Sequence, residues 1–198
     1  MGHPTYNVLK LVLNKIRIPC SFSALSFCDS CKLGKHHQLP FVSHNIIAKR
    51  PLELIYSDVW GPSLTVSVKG FRYYIIFVDA YSRFTWLYPL KLKSDALPTF
   101  ISFHKLVENQ LQTKLKGIQI DNGGEFRAFL PYLQSHGIQP RFSCPYTHQQ
   151  NGVAKRKPRH VAEMGLTLLA HAHMSLKFWK EAFQTAAFLI NLLPSSSL

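Results

Sequence analysis

From Leu52 onward, apolar residues fall into short dense runs divided by turn residues. LELIYSDVW (52–60) reads as a strand closed by Gly61-Pro62. YYIIFVDAYS (73–82) is aromatic and β-branched nearly throughout, the pattern of a central strand. FTWLYPL (84–90) follows after a short turn at Tyr81–Arg83, so the first three strands predict an antiparallel meander. DALPTFISFHKLVENQLQTK (95–114) changes to helical spacing, with Phe100, Phe103, Leu106 and Val107 on its apolar face. Pro98 sits in the first turn, where a missing N–H costs little. LKGIQID (115–121) is a fourth strand, Asn122-Gly123-Gly124 a tight turn, 125–135 a short helix, and IQPRFSC (138–144) a fifth strand. Two helices follow at 161–173 and 176–193. The order β-β-β-α-β-α-β-α-α predicts an α/β fold with a mixed sheet flanked by helices.

The first 50 residues are patterned differently. TYNVLKLVLNKI (5–16) offers part of one helical face, which Pro19 ends. A turn-rich segment then surrounds Cys28 and Cys31, and Pro51 marks a boundary. Two units are expected, 1–48 and 51–198. Cys28-x2-Cys31 has the spacing of half a zinc site, with His3, His36, His37 and His44 as local candidates for the other ligands. The close pair suits a metal in a reducing compartment better than a disulfide framework.

Charge narrows the partners. Lys and Arg number 23 against 10 Asp and Glu, a net charge of +13. Such a surplus favours a polyanion or a membrane surface. The chain has no run of 18 uninterrupted apolar residues and no signal-peptide pattern, so a spanning helix is not expected. The basic residues gather at 32–37, 49–50, 69–72, 91–93 and 155–160, as phosphate contacts would require or as an ordinary solvated face would show. The candidate chemistry is acidic. Asp58 lies near the end of the first strand and Asp121 at the end of the fourth. Two carboxylates held together favour a divalent cation such as Mg²⁺, which can serve phosphodiester chemistry. A strand-end aspartate is also an ordinary turn cap, and the glycines after Asp121 fit either role.

At this point a resemblance becomes specific. LELIYSDVWGP, YYIIFVDAYSRFTWLYPL, IQIDNGGEF and CPYTHQQNGVA, followed by Lys155-Arg156-Lys157, resemble the integrase catalytic core of plant copia-type long-terminal-repeat retrotransposons. The resemblance runs from about residue 51 to the C-terminus. It implies an RNase H-like fold with a five-stranded sheet and an Asp-Asp-Glu triad binding Mg²⁺ or Mn²⁺. It also implies two reactions, trimming of the 3′ ends of element DNA and their joining to a target duplex. The first two acids map onto Asp58 and Asp121, and the third onto Lys155. An ammonium there cannot ligate Mg²⁺ and sets a positive charge beside the ion site. Pro158 is a second departure, and a helix start delayed to near 157 is expected from it. Glu125 is the nearby acid that caps or pairs locally.

GHPTYNVLKLV and CDSCKLGKHHQLPF similarly resemble the pre-integrase zinc-binding region of these elements. That implies a partial Zn²⁺ site of His3, Cys28 and Cys31, with one histidine missing. LPSSSL at the end reads as the edge of a polyprotein fragment. By resemblance, Gln149, Gln150 and Asn151 approach a DNA end, or else they simply cap the helix, while the charge of Lys155, Arg156, Lys157 and Arg159 suits tracking of a DNA backbone. DNA ends and target duplex are the implied partners, with homo-oligomers assembled on them, a nuclear location and no membrane. Three readings remain: a metal-dependent polynucleotidyl transferase, a catalytically inactive nucleic-acid-binding remnant of the same fold, and a metal-stabilised protein-interaction module. Lys155 separates the first two, and the net charge of +13 weighs against the third.

Overall fold

The computed structural model describes residues 48–121, 123–142 and 152–193, with Leu13 and Lys15. The side chains of 152–155 are outside that description, as are His3, Cys28, Cys31, Gln149, Gln150 and Asn151. The chain divides into two compact units, Met1–His44 and Asn45–Leu198, and every element below belongs to the second.

Five strands form: β1 (Ile55–Trp60), β2 (Tyr73–Asp79), β3 (Thr85–Leu90), β4 (Gly117–Ile120) and β5 (Gln139–Phe142). The helices of the unit are α1 (Ala96–Leu111), α2 (Phe129–Ser135), α3 (Gly152–His171) and α4 (Trp179–Leu192). The sheet order is β3-β2-β1-β4-β5. β1, β2 and β3 pair antiparallel, as the meander predicts. β4 returns beside β1 in parallel, and β5 lies parallel to β4. A parallel return needs a crossover, and α1 supplies it.

Helices cover both faces of the sheet, which explains the nearly continuous apolar run of β2. Tyr74, Ile76 and Val78 face one layer with Leu54, Tyr56, Val161, Leu169, Trp179, Phe183 and Ile190. Ile75 and Phe77 face the other with Ile55, Phe100, Phe103, Val107, Ile118, Ile120 and Phe129. The expected apolar face of α1 is buried at Phe100, Phe103 and Val107, whereas Leu106 is 42% exposed. Trp60 and Trp86 pack as sheet residues, Trp60 on Tyr74 at 5.1 Å between ring centroids and Trp86 on Phe103 at 5.3 Å. Asp79 is 1% exposed and structural. Its carboxylate accepts from Leu52 N at 3.0 Å, Ser82 N at 2.8 Å and Ser82 Oγ at 2.7 Å, closing the turn from β2 to β3.

One expectation needs correction. The helix does not wait until 157: α3 starts at Gly152 and runs through Pro158. Proline inside a helix forfeits one backbone bond and costs about 3 kcal/mol in isolation. Here tertiary contacts offset it. Pro158 is buried, Val161 three residues on is fully buried, and the Tyr74 hydroxyl donates to the Pro158 carbonyl at 3.3 Å.

α3 and α4 meet at Gly165. A Cβ there would lie 2.8 Å from Phe183 Cε1 and 3.3 Å from Phe183 Cα, with Cδ1 closer still. Phe183 has little room to retreat, since Trp60, Tyr74 and Trp179 surround it at centroid distances of 5.9, 5.8 and 5.5 Å. Gly165→Ala gains about 1 kcal/mol of helix propensity but incurs about 1–3 kcal/mol of overpacking. Net destabilisation is expected in urea unfolding. Gly124→Ala, where a Cβ meets nothing within 4 Å, is expected to change stability little.

Candidate active site

The parallel pairing of β1 and β4 sets the geometry. Ile55 pairs with Ile118 and Tyr56 with Gln119, a constant offset of 63 positions. The same offset carries Asp58 to Asp121, the residue directly after β4. Neighbouring strands lie about 4.8 Å apart. Extended past the last paired residues, this register would bring the two aspartates level, on the sheet face that α3 and α4 cover. Both are half-buried.

Asp121 also closes its own turn. Gly123 N–H donates to its Oδ1 at 3.0 Å. A Cβ on Gly123 would lie 2.9 Å from that oxygen and 2.9 Å from Glu125 Oε2. Glycine thus lets the two acids approach, and twice that distance bounds their separation. Glu125 does not stand alone, for Lys93 Nζ pairs with its Oε1 at 3.2 Å. Among the described residues, no three His, Cys, Asp or Glu side chains are grouped so as to hold a metal ion.

Position 155 lies in the first turn of α3, three residues before Pro158. The Tyr74–Pro158 hydrogen bond ties the turn that follows to β2. Sequence reasoning took Tyr74 for an ordinary apolar strand residue. It pairs across the sheet with Trp60, two residues beyond Asp58. Burial pushes its phenol well above the ordinary range, and the Asp58 charge raises it further. Only strand register reveals that link.

The basic residues of α3 separate by exposure. Arg156 and Arg159 are exposed, while Lys157 is half-buried. Burial depresses the Lys157 ammonium, and the Arg83 charge adds to the effect. Arg83 stands in the turn before β3 and Arg141 within β5, two cations that the sequence runs did not single out.

Tyr74→Phe removes a buried donor and is expected to cost about 0.5–1.5 kcal/mol near neutral pH. Because folding raises this phenol above its unfolded value, its contribution is present below pH of about 10 and lost as pH rises through the folded value. The stability gap between the unmodified chain and Tyr74→Phe is therefore expected to narrow above pH of about 10, measured by denaturant unfolding across pH.

Comparison with known proteins gives the family of this fold. The integrase core domain family matches residues 48–148, just over half of the chain. The Retrovirus-related Pol polyprotein from transposon RE2 of Arabidopsis thaliana is 46% identical over the whole chain. The corresponding polyprotein from transposon TNT 1-94 of Nicotiana tabacum is 39% identical, again over the whole chain. The chain spans 14% and 15% of those two proteins. Among solved structures, the fold is similar to a simian T-cell lymphotropic virus intasome in complex with PP2A regulatory subunit B56 gamma. There the TM-score is 0.63 at 16% identity, over 84% of this chain and 58% of that one. It is also similar to the HTLV-2 integrase catalytic core domain in complex with magnesium, with TM-score 0.54 at 17% identity, over 78% of this chain and 94% of that one. The chain belongs to the integrase core domain family and is related to the Pol polyproteins of plant retrotransposons.

Proposed function

We propose that this chain is a DNA-binding integrase-like core whose own end-processing and strand-transfer chemistry is impaired. The observation that carries the reading is the lysine at 155, in the first turn of α3, where the resemblance expects the third acid to join Asp58 and Asp121. A triad of acids would supply oxygen donors from both strands and from α3. This chain supplies two strand carboxylates and an ammonium, a donor set that does not fit a complete Mg²⁺ or Mn²⁺ site. Glu125 stands beside Asp121 rather than on α3, and Lys93 pairs with its Oε1. No catalytic step is assigned to the pair.

Binding is a separate matter and survives that loss. A net charge of +13, with Arg156 and Arg159 exposed on α3, supports contact with phosphates. A lysine at 155 adds charge of the sign that DNA attracts. Among the described residues no helix is long and apolar enough to cross a membrane.

Affinity for a labelled duplex is expected to fall steeply with salt and to vary little with sequence. An affinity that is flat in salt would contradict phosphate contact. On a labelled DNA end with Mg²⁺ or Mn²⁺, the unmodified chain is expected to process and join negligibly, and Lys155→Glu to regain part of the activity. Robust activity in the unmodified chain, lost on Asp58→Asn or Asp121→Asn, would overturn the impaired reading.

A further inference from the structure

We propose that Lys69, Arg72 and Lys91 form one cationic rim, at the end of the sheet where β1 and β4 finish, that receives the phosphate backbone of a duplex. The inference rests on the reading of DNA as the partner and deepens it by naming a contact surface apart from α3.

The sequence carries these cations in two separate runs, 69–72 and 91–93. The fold joins them. β1 ends at Trp60, β2 begins at Tyr73 and β3 ends at Leu90, so Lys69, Arg72 and Lys91 all lie just past one end of the sheet. Arg72 N–H donates to Leu90 O at 3.1 Å, which sets Arg72 beside the residue before Lys91. Lys91 Cε lies 4.0 Å from where a Cβ on Gly70 would stand, and beyond the chain neighbours nothing else comes within 4 Å of that spot. Gly70 has a φ of +83°, a conformation that disfavours a side chain, so this surface stays open. All three cations are exposed.

The loop that carries the first two is fixed before any ligand arrives. Ser67 is buried. Its N–H donates to Phe71 O at 3.0 Å, its carbonyl accepts from Gly70 N at 2.9 Å and its Oγ accepts from Phe71 N at 2.9 Å. Ser63 N–H donates to Arg72 O at 2.7 Å. The start of α4 holds the same loop, through Trp179 Nε1 to Thr65 O at 2.9 Å and Val68 N to Lys177 O at 3.1 Å. A surface already ordered loses little conformational freedom on binding.

Charge at this end is one-sided. Between Asp58 and Asp95 the sequence has a single acid, Asp79, which is buried at the far end of β2 and bonded within its turn. Among the described residues, none of Lys69, Arg72 and Lys91 has a carboxylate within 4.0 Å. A run of charge alone is an ordinary solvated face, but this one continues to the candidate site. Lys93, two residues past Lys91, pairs with Glu125 at 3.2 Å, and Glu125 stands beside Asp121 across Gly123. The loop also exposes Leu64, Val66 and Val68, which would suit a lipid surface. The link to the Asp121 turn favours nucleic acid.

The test compares duplex binding across a salt series for the unmodified chain, Lys69→Gln/Arg72→Gln/Lys91→Gln, and Lys49→Gln/Arg50→Gln/Lys116→Gln. The last removes the same charge from exposed positions that precede β1 and β4, at the other end of the sheet. Each lost phosphate contact lowers the slope of log affinity against log salt by about 0.9. The rim variant is expected to lower the slope by about 2–3 and the affinity by about tenfold or more. The control variant is expected to change both much less. Equal losses from the two variants, or no loss from the rim variant, would overturn the rim. Failure of the unmodified chain to bind duplex would instead end the DNA reading itself. A second measurement needs no variant: amine acylation of the unmodified chain with and without duplex, read by mass spectrometry. Duplex is expected to protect Lys69 and Lys91 severalfold more than Lys49 and Lys116, and equal protection would count against the rim. Phosphatidylserine vesicles probe the other surface. Vesicle binding that the rim variant loses, with its duplex binding intact, would assign the rim to lipid and overturn the proposal.

Discussion

The parallel alignment of β1 with β4 is the constraint on which the site depends. Strand pairing has a period of two, so a slip of one residue would send Asp121 to the opposite face from Asp58. Burial on both faces prevents that slip. Ile118 and Ile120 are fully buried against the α1 layer, as is Ile55 on β1. A slip would turn Gln119 into the apolar α1 layer in place of Ile118 and Ile120. A register set by hydrophobic burial thereby decides where two charges meet, with no need for those charges to attract.

The helix above the pair is placed by a different interaction. Pro158 weakens α3 locally, yet the Tyr74 hydroxyl takes its carbonyl, and Val161 is fully buried in the layer below. The aromatic group of Trp60, Tyr74, Trp179 and Phe183 joins β1 and β2 to α4, which in turn packs on α3 through Gly165. Position 155 is consequently carried by a turn that the core holds in place.

Much of this was legible in the sequence because it depends on local pattern. The dense runs around Ile55, Ile75 and Ile118 gave the strands, and the spacing of Phe100, Phe103 and Val107 gave α1. Strand ends carrying Asp58 and Asp121 were visible for the same reason. What escaped depends on partners distant in sequence. Pro158 argued for a later helix start, since its cost is local while the Tyr74 contact that offsets it spans 84 positions. Asp79 resembled any strand-end acid, and only its bonds to Leu52 and Ser82 show that it closes a turn.

The central claim is that position 155 decides whether the aspartate pair can hold a divalent ion. Calorimetric titration of Mn²⁺ into the unmodified chain, Lys155→Glu and Lys155→Glu/Asp121→Asn tests it without relying on turnover. The account predicts saturable binding in Lys155→Glu alone, lost again when Asp121 is replaced. Saturable binding of the same strength in the unmodified chain, abolished by Asp58→Asn, would contradict it.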